Sequence, residues 1–578
     1  MSNLVIPPYS SAPKGERAKA LGAFYTPDKA ANFMIHWAVE RADKVIDPSF
    51  GDGIFLKASK EKVDRPQEQL YGIEFDAATF DANKDYLTRQ YQISVDKLWN
   101  GDFFDSDSFF ERFTKSSPVE AFEAVVGNPP FIRYQKFRGA ERARALQRAR
   151  TLGVELPGHV SSWAPFLVHA VSLIKPGGRL AMVAPAELGH AAYATNVLRF
   201  LLEQFATLTI LTFQKRLFPK LSEDTFIVLG ENRGCSTSCF RLVDVANETS
   251  LEKFMDTHDI TSVGSVKPLD KNDIESLKNR ESKLLEYLLE APTRTLYHHC
   301  ANHKRVKSLG QVARINIGYV TGNNDFFHLS QKDVDTFDIP KAYLTPCIRR
   351  GSNLLGLRLT HEDWSDASEA KKWLLEIPPQ KTLENLPAGL RNYLEQGEIQ
   401  GVREGFKVSK RNPWYAVPHV KRGAAMLTYM SNDGPRLVHN MLDAPTPNTL
   451  HVVELPVTMY DQEYSGYKVD VKLLITSWYT SLTFLSSEIE GHSLGGGMLK
   501  LEPGEAKKVK IALPDNLSVE SLDDAYQKID EALRKRDLEA ALDIGDALIL
   551  QQGLNYSPEQ CSVLRSGYRY LRDRRKSR

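Results

Sequence analysis

The sequence predicts an α/β chain in which a doubly wound domain is followed by a mixed α/β domain and a helical C-terminal segment. Between residues 20 and about 240, short apolar strands alternate with amphipathic segments, which is the pattern of a doubly wound sheet. Residues 300–515 differ from this, because they contain β-branched runs, scattered aromatics and many Pro, Gly and Asn turns. Residues 518–578 follow helical periodicity, and Asp537 to Gln551 form a clear amphipathic stretch.

Length and composition agree with a division into several domains. The chain has 578 residues, which suits two to four domains, and its 42% hydrophobic content is sufficient for sizeable cores. Its net charge of +1 does not by itself indicate a nucleic-acid partner. We expect a flexible N-terminus over 1–19, the doubly wound domain over 20–245, a helical linker over 246–299, the mixed domain over 300–515 and the helical segment over 516–578.

The turn Asn128-Pro129-Pro130-Phe131 directly follows an apolar run and is the most informative motif of the first domain. The Asn128 side-chain oxygen and the Pro129 carbonyl are two acceptors, and proline fixes φ so that they stay oriented. An amine conjugated to a ring is a poor nucleophile, and two acceptors on its hydrogens stabilise the charge that develops as the nitrogen attacks. Phe131 offers an aromatic face for stacking. The alternative interpretation of these four residues is a purely structural turn.

Acidic residues follow three predicted strands upstream of this turn. Asp47 begins a turn that runs to Gly53, whose glycines let the backbone approach a ligand, and Glu74 ends the next strand. Asp102 and Phe103 follow the third strand. An acid at the tip of the second strand of a doubly wound fold binds ribose hydroxyls, while Asp102 can accept from an adenine amine as Phe103 stacks on the ring. The three strand ends therefore predict one nucleoside site at the carboxyl edge of a parallel sheet.

In this order, the residues resemble the adenine-N6 DNA methyltransferases of the gamma class, the Taq-type modification enzymes of type II restriction–modification systems. The similarity begins with Gly22-Ala23-Phe24-Tyr25-Thr26-Pro27 and the helix-like run 28–39, and it continues through the turns described above. Segments 317–327 and 494–503 resemble the target-recognition half of large adenine modification enzymes, so the similarity spans most of the chain. Phe131 stands where Tyr is commoner, which keeps the stacking face and loses the contacts of the hydroxyl.

The resemblance implies a Rossmann-like domain that uses S-adenosylmethionine to methylate N6 of a flipped adenine in double-stranded DNA, protecting host DNA from a cognate restriction endonuclease. By the same resemblance, Asn128, Pro129, Pro130 and Phe131 form the catalytic set, and the flipped base stacks on Phe131 and Phe218. Cofactor contacts are implied for Tyr25, Thr26, Asp47, Gly51, Glu74, Asp102 and Phe103.

Three basic segments are candidates for contact with DNA phosphates. The run 133–150 contains seven Lys or Arg residues and one Glu, and it directly follows the catalytic turn. The run 403–422 contains six Lys or Arg residues interleaved with aromatics, and the tail 572–578 is also basic. A solvated helix face is the alternative for each run, but beside base-flipping chemistry we expect phosphate contact. We predict DNA contacts for Arg133, Lys136, Arg138, Lys410 and Arg411.

Other functions share the same catalytic turn. An RNA adenine-N6 methyltransferase or a protein glutamine-N5 methyltransferase can carry it, because an amide nitrogen poses the same chemical problem, but such enzymes are usually far shorter. Cytosine-N4 enzymes favour Ser at the first position of the turn. We expect no fused N-terminal nuclease, since the cofactor motif begins at residue 22 and Glu281-Ser282-Lys283 is a weak nuclease motif. A non-catalytic DNA-binding subunit is an alternative from another class, against which the intact turn and acids argue.

The five cysteines do not form a disulfide framework in a chain of this size. Cys235 with Cys239, and the cluster from His298 to His303, lack a convincing partner pair for zinc, and methyl transfer needs no Lewis acid, so we expect no metal. The sequence contains no run of 18 or more apolar residues and no cleavable signal, so we expect a bacterial cytoplasmic protein without membrane contact.

Overall fold

The structure is a computed structural model that describes residues 26–41, 43–111, 122–191, 193–218, 224–366, 371–456, 469–494 and 496–577. The chain forms two compact units, the first built mainly from residues up to Leu288 and the second from Leu289 to Ser493 and from Gly497 to Lys576. Among the helices in these ranges, none has the length and apolar character needed to cross a membrane.

The first unit is built on one large sheet. Its described strands are β1 (Val45–Asp47), β2 (Leu70–Glu74), β3 (Leu98–Asn100), β4 (Phe122–Gly127), β5 (Ile174–Pro185), β6 (Phe205–Phe213), β7 (Thr225–Arg233), β8 (Cys239–Val245) and β9 (Ser265–Leu269). They are ordered β3-β2-β1-β4-β5-β7-β6-β8-β9. The first five strands are parallel, and β7 is antiparallel to both β5 and β6. The predicted Rossmann-like α/β fold is confirmed.

Helices accompany the strands, as alternation of the two patterns predicts. The helices of the first unit are α1 (Asp28–Ala38), α2 (Ile54–Ser59), α3 (Pro66–Gln69), α4 (Ala77–Tyr91), α5 (Asp107–Glu111), α6 (Gly139–Thr151), α7 (Trp163–Ser172), α8 (Ala194–Gln204), α9 (Lys253–Thr257) and α10 (Lys271–Lys278). α4 begins where Asp76 caps it by accepting from the Thr79 amide at 3.0 Å. Every residue of α7 is buried. A buried cluster that includes Phe33, Val126 and Ile227 joins α1 to the sheet.

The carboxyl ends of β1 to β4 lie at one edge of the sheet, because these strands are parallel neighbours. β1 ends at Asp47, β2 at Glu74 and β3 at Asn100, while β4 ends at Gly127. The acidic turns and the Asn-Pro-Pro-Phe turn therefore start from the same edge.

The predicted helical linker over 246–299 differs from the observed structure in its middle and at its end. Ser265–Leu269 is not helical but forms β9, which pairs antiparallel with β8. The physical reason is that β8 would otherwise present an unpaired outer edge, which β9 covers. The boundary between the compact units falls at Leu288 and Leu289, so most of the predicted linker belongs to the first unit.

The second unit is a mixed α/β structure, as predicted. Its strands are β10 (Val306–Ser308), β11 (Arg314–Ile317), β12 (His328–Ser330), β13 (Leu344–Pro346), β14 (Arg358–Leu359), β15 (Lys371–Leu375), β16 (Ala425–Thr428), β17 (Met430–Ser431), β18 (Leu437–Asn440), β19 (Leu450–Glu454), β20 (His492–Leu494), β21 (Met498–Lys500) and β22 (Lys510–Ala512). The largest sheet of this unit has the order β11-β19-β16-β18-β14, and β12, β15 and β13 form a separate antiparallel sheet.

The helices of the second unit are α11 (Ala291–Ala301), α12 (Leu309–Val312), α13 (Asn324–Phe327), α14 (Gln331–Thr336), α15 (His361–Asp366), α16 (Ala388–Ile399), α17 (Val471–Trp478), α18 (Ser481–Glu490), α19 (Pro503–Ala506), α20 (Val519–Arg534), α21 (Leu538–Gly545) and α22 (Pro558–Lys576). The amphipathic stretch predicted from Asp537 is confirmed as α21 and a π-helical continuation. α22 packs against α18, where Phe484 meets Tyr568 with ring centroids 5.3 Å apart.

The basic tail is partly structural, in contrast to the predicted phosphate-binding surface. Arg575 is buried and pairs with the buried Glu488, with an Nη2–Oε1 distance of 2.6 Å. Arg572 pairs with Asp573 and Glu539. Removing one partner of a buried ion pair is strongly destabilising, so Arg575 contributes to the stability of the second unit.

Candidate active site

An open cleft lies at the carboxyl edge of the first sheet. Its empty volume is about 1110 Å³ with the open mouth included, comparable to or somewhat above the volumes of small-molecule sites. Four strand-end turns contribute to its walls, and α7 contributes Phe166. Of the predicted site residues, the cleft is lined by Thr26, Gly51, Glu74, Asp102, Phe103, Asn128 and Pro130. The sequence prediction of a single site at this edge agrees with this arrangement.

The glycine-containing turn after β1 is held by Glu74. Gly51 and Gly53 adopt φ angles of 55° and 79°, in the left-handed region that favours glycine. The Glu74 Oε2 atom accepts from the Gly51 amide at 3.0 Å, and Oε1 accepts from the Asp76 amide at 2.7 Å. Burial raises the pKa of Glu74, while these two amides act in the opposite direction. Glu74 therefore links the tips of β1 and β2 and still lines the cleft.

Asp47 lies beneath the cleft, whereas the resemblance implied a cofactor contact. Its side chain is fully buried and does not belong to the cleft lining. Oδ1 accepts from the Ser49 amide at 3.0 Å, and Ser49 Oγ in turn donates to the Asn128 carbonyl at 3.1 Å. Burial raises the pKa of Asp47 well above its usual range. In this structure Asp47 supports the turn after β1, and that turn contacts the Asn-Pro-Pro-Phe turn.

Asp102 faces the cleft but also has a partner in the protein. Its Oδ2 accepts from Arg144 Nη2 at 2.5 Å and from Nε at 3.2 Å, while Oδ1 accepts from the Phe104 amide at 3.0 Å. The neighbouring Phe103 is buried, and its ring centroid lies 4.5 Å from that of Phe166. The predicted pair of an acceptor and an aromatic is therefore present at the end of β3, with the carboxylate oriented by an arginine from α6.

The His169 ring packs against this aromatic group. Its ring centroid lies 4.4 Å from that of Phe103, and its Nδ1 lies 3.2 Å from Ser172 Oγ. Burial lowers the pKa of His169 to about 3, so the imidazole is neutral at neutral pH. A neutral ring in this place keeps the surroundings of Phe103 aromatic and uncharged.

We expect a His169→Gln variant to lose less stability than the wild type on acidification. The folded-state pKa is about 3 and the ordinary value is 6.5, so the unfolded chain binds more protons between these two values. Stability therefore rises with pH across this window and is lost as the pH falls. At pH 5 the wild type should lose about 2 kcal/mol relative to pH 8 through this group. Denaturant unfolding at pH 8 and pH 5 measures the difference, and equal losses in both proteins would contradict it.

The Asn-Pro-Pro-Phe turn, predicted to be catalytic, begins immediately after β4. Asn128 and Pro130 line the cleft, and Pro129 is buried between them. Phe131 does not line the cleft in this structure but is partly buried and packs against the hydrophobic cluster of the first unit. The predicted turn is thus at the cleft, while its aromatic ring points toward the protein interior.

Phe218 is not placed for the base-stacking role that the resemblance implied. It is 6% exposed and belongs to the same hydrophobic cluster that Phe131 contacts. Stacking on a flipped base would require this ring to leave the cluster. The adjoining residues 219–223 lie outside the described part of the chain, as does Tyr25, while Thr26 is buried at the cleft.

The basic run 133–150 divides into two parts. Arg133, Lys136 and Arg138 are exposed in the segment after the Asn-Pro-Pro-Phe turn. Further on, Arg144 pairs with Asp102, and Arg148 pairs with Asp107 at 2.7 Å. Because carboxylates already neutralise Arg144 and Arg148, these two arginines are poorer candidates for phosphate contact than the three exposed residues of the first part.

The two basic residues of the second unit that were predicted to contact DNA lie in different environments. Lys410 is exposed, with Nζ 3.9 Å from the ring centroid of the exposed Phe406. Arg411 is partly buried, where Nη2 donates to the Val320 carbonyl at 2.7 Å and the guanidinium carbon lies 5.6 Å from the Phe327 ring centroid. Burial lowers the pKa of Arg411. Its observed contacts are structural, in contrast to the predicted contact with DNA.

Several cleft residues were missed from the sequence. Phe75 is 52% exposed at the tip of β2, and its signal was an aromatic directly after the strand-end acid. Ser162 directly precedes α7 and Phe166 lies on it, more than 30 residues beyond the Asn-Pro-Pro-Phe turn, and an apolar helix carries no signal for a site. Arg144 was noted only as one charge of a basic run.

Comparison with protein families identifies the family of the domain that contains this cleft. Residues 12–266 match the family described as N-6 DNA Methylase. Residues 281–550 match the family described as Type II methyltransferase M.Eco57I, C-terminal domain. The chain belongs to the adenine-N6 DNA methyltransferases. The two matches meet between residues 266 and 281, close to the boundary between the compact units.

Individual relatives of this methyltransferase are distant in sequence but similar in extent. Type II methyltransferase M.AccI of Acinetobacter calcoaceticus is 19% identical over 515 residues, covering 88% of each chain. Type II methyltransferase M.XamI of Xanthomonas campestris pv. amaranthicola is 20% identical over 518 residues, covering 87% of this chain and 88% of the relative. Among solved structures, the Type IIL restriction-modification enzyme MmeI in complex with DNA has a TM-score of 0.52 at 10% identity, over 94% of this chain and 75% of that chain. This likeness shows the fold.

Proposed function

We propose that this methyltransferase is the gamma-class modification enzyme of a type II restriction–modification system, and that it transfers the methyl group of S-adenosylmethionine to N6 of one adenine at a specific site in double-stranded DNA. The observation that carries this proposal is that Asn128-Pro129-Pro130 starts at the end of β4 and borders the same cleft as Glu74 and Asp102. The gamma class is supported by the order of the motifs, since the cofactor turn precedes the catalytic turn and the second unit follows both.

The donor groups of the cleft fit S-adenosylmethionine. Glu74 at the tip of β2 is a carboxylate for ribose hydroxyls, and Asp102 beside Phe103 suits an adenine ring with its amine. The acids Asp52 and Glu74 on the wall favour a positively charged ligand over a phosphate. When bound, this cofactor supplies a methyl group on a sulfonium. Thr26 and Gly51 complete the proposed contacts among the described residues, and we extend them to Tyr25 by resemblance.

The chemistry assigned to the protein is orientation and acceptance of hydrogen bonds. The Asn128 side-chain oxygen and the Pro129 carbonyl accept hydrogen bonds from the two N6 hydrogens, which stabilises the positive charge that develops on the nitrogen as it takes up the methyl group. S-adenosylhomocysteine is the product left behind, and one N6 proton is released to solvent. Proline at the second and third positions of the turn fixes φ, so little reorganisation is needed. No side chain with a tuned pKa takes part, and the acceleration comes mainly from alignment and the two acceptors.

The target adenine must leave the duplex to reach the cleft, which costs a few kcal/mol of unstacking. We assign stacking on the flipped base to Phe131 and Phe218. Since both rings contact the hydrophobic cluster in this structure, their movement on DNA binding is part of the proposal. Arg133, Lys136 and Arg138 beside the catalytic turn are proposed to contact phosphates, as is the exposed Lys410 of the second unit.

The direct test supplies methyl-labelled S-adenosylmethionine with unmethylated bacteriophage DNA, total RNA and a protein extract in parallel. We expect label in DNA, and digestion should release it as N6-methyladenine. Sequencing of the labelled sites then gives the recognition word, and protection of these sites from a restriction endonuclease encoded nearby would establish the cognate pair. Label in RNA or in protein, or as N4-methylcytosine, would contradict the assignment.

A further inference from the structure

Ser162 makes an unusual use of its hydroxyl. It occupies the N-cap position of α7, where serine ordinarily accepts a hydrogen bond from the first turn of the helix, yet its side chain makes no capping bond. The residue is 2% exposed and lines the cleft. A buried hydroxyl without a partner is costly, so the partners it has instead are informative.

Those partners are the backbone groups on both sides of Phe131. Ser162 Oγ donates to the Pro130 carbonyl and accepts from the Ile132 amide at 2.9 Å. The Ser162 amide also donates to the Ile132 carbonyl at 3.0 Å. Ser162, at the start of α7, therefore holds the chain immediately before and immediately after Phe131, the aromatic position of the catalytic turn.

These contacts restrict the torsions that proline leaves free. The rings of Pro129 and Pro130 fix φ at these two positions, but ψ of Pro130 and both torsions of Phe131 are not fixed by any ring. Hydrogen bonds to the Pro130 carbonyl and the Ile132 amide constrain those torsions. At the other end, Ser49 Oγ donates to the Asn128 carbonyl at 3.1 Å. The catalytic turn is thus held at its two ends by two serines from different elements.

We propose that Ser162 is a positioning residue for methyl transfer, which fixes the turn so that the Asn128 and Pro129 oxygens face the target amine. This inference rests on the proposed function of the turn. A displacement of about 1 Å in an aligned reaction can cost about 10²-fold in rate, so loss of this hydroxyl should affect turnover more than binding.

The test compares full-length Ser162→Ala with wild type for kcat, for KM with DNA and for the Kd of S-adenosylmethionine. We expect kcat to fall by about 10 to 10²-fold, with the cofactor Kd unchanged within about twofold. The matched control is Ser172→Ala at the other end of α7, whose buried hydroxyl donates to the His169 carbonyl at 2.7 Å and makes no contact with the turn. It should retain wild-type kcat.

A second measurement separates positioning from general stability. If Ser162 acts through the turn, Ser162→Ala should lower kcat by a smaller factor in an Asn128→Ala background than in the wild type, because one of the two oxygens that it positions is already absent. If the two substitutions instead lowered kcat independently, so that their fold losses multiplied in the double variant, the proposal would be overturned. So would a Ser162→Ala protein that no longer folds or no longer binds cofactor. If the wild type itself forms no N6-methyladenine, the proposed function fails, whereas an active wild type with an equally active Ser162→Ala variant refutes this inference alone.

Discussion

Replacing Asn128 by alanine is expected to lower kcat by about 10²–10³-fold while S-adenosylmethionine still binds. The side-chain oxygen is one of two acceptors proposed to stabilise charge on the attacking nitrogen, so its loss acts on the transition state. Because the proposed cofactor contacts come from other strand ends, the Kd of the cofactor should change little. Single-turnover methylation of a DNA duplex and calorimetric titration of the cofactor measure the two effects separately.

The matched control for this variant is Asn196→Ala. Asn196 lies on α8 of the same unit, where its amide donates to the Glu155 carbonyl at 2.7 Å, and it does not line the cleft. It should keep wild-type turnover. An Asn128→Ala enzyme that methylates at the wild-type rate would refute the proposed mechanism, and one that no longer binds cofactor would place Asn128 in the binding site instead.

The second large effect is expected for Glu74→Ala, which should weaken S-adenosylmethionine binding by about 10²-fold or more. Hydrogen bonds to charged groups contribute about 1.5–3 kcal/mol each, and two ribose hydroxyls are proposed to donate to this carboxylate. The variant also removes the acceptor for the Gly51 amide, so the turn that borders the proposed cofactor site is released. Calorimetric titration gives the Kd, and Glu68→Ala, at an exposed position just before β2, is the control with unchanged affinity.

The same residue predicts a pH dependence of cofactor binding. Burial raises the pKa of Glu74, so its carboxylate takes up a proton at higher pH than an ordinary glutamate. Affinity that depends on the ionised form should therefore decline as the pH falls toward this raised pKa, and this decline should be absent from Glu74→Ala. A parallel pH profile in both proteins would show that another group is responsible.

The candidate site could be predicted because its signals are local. A strand, a turn and an acid or an Asn-Pro-Pro turn are contiguous in the sequence, and parallel strands bring their carboxyl ends to one edge. Glu74, Asp102 and Asn128 were therefore found from their positions after apolar runs. The mixed α/β character of the second unit was likewise visible from turn residues and β-branched runs, whereas the strand Ser265–Leu269 was hidden in a polar segment and forms by pairing with β8.

The orientation of individual side chains depended on partners far along the chain. Asp47 has the sequence context of a cofactor ligand, but its side chain is buried and accepts a hydrogen bond from the Ser49 amide. Arg144 has the sequence context of a phosphate ligand, but its guanidinium donates to Asp102, 42 residues away in sequence. Arg411 likewise donates to Val320. A charge pattern records only that a side chain is ionised, whereas its partner depends on which elements pack against it.

The order of the motifs, the sheet edge at which they meet and the methyltransferase family that they resemble can all be read from the amino-acid sequence. The folded structure adds which acids face the cleft, which arginines are already paired with carboxylates, and that Ser162 at the start of α7 holds the Asn-Pro-Pro-Phe turn. Strand ends can be read from the sequence because they follow from local hydrophobic pattern and turn residues. Burial and hydrogen-bond partners follow from contacts between segments that are distant in the chain.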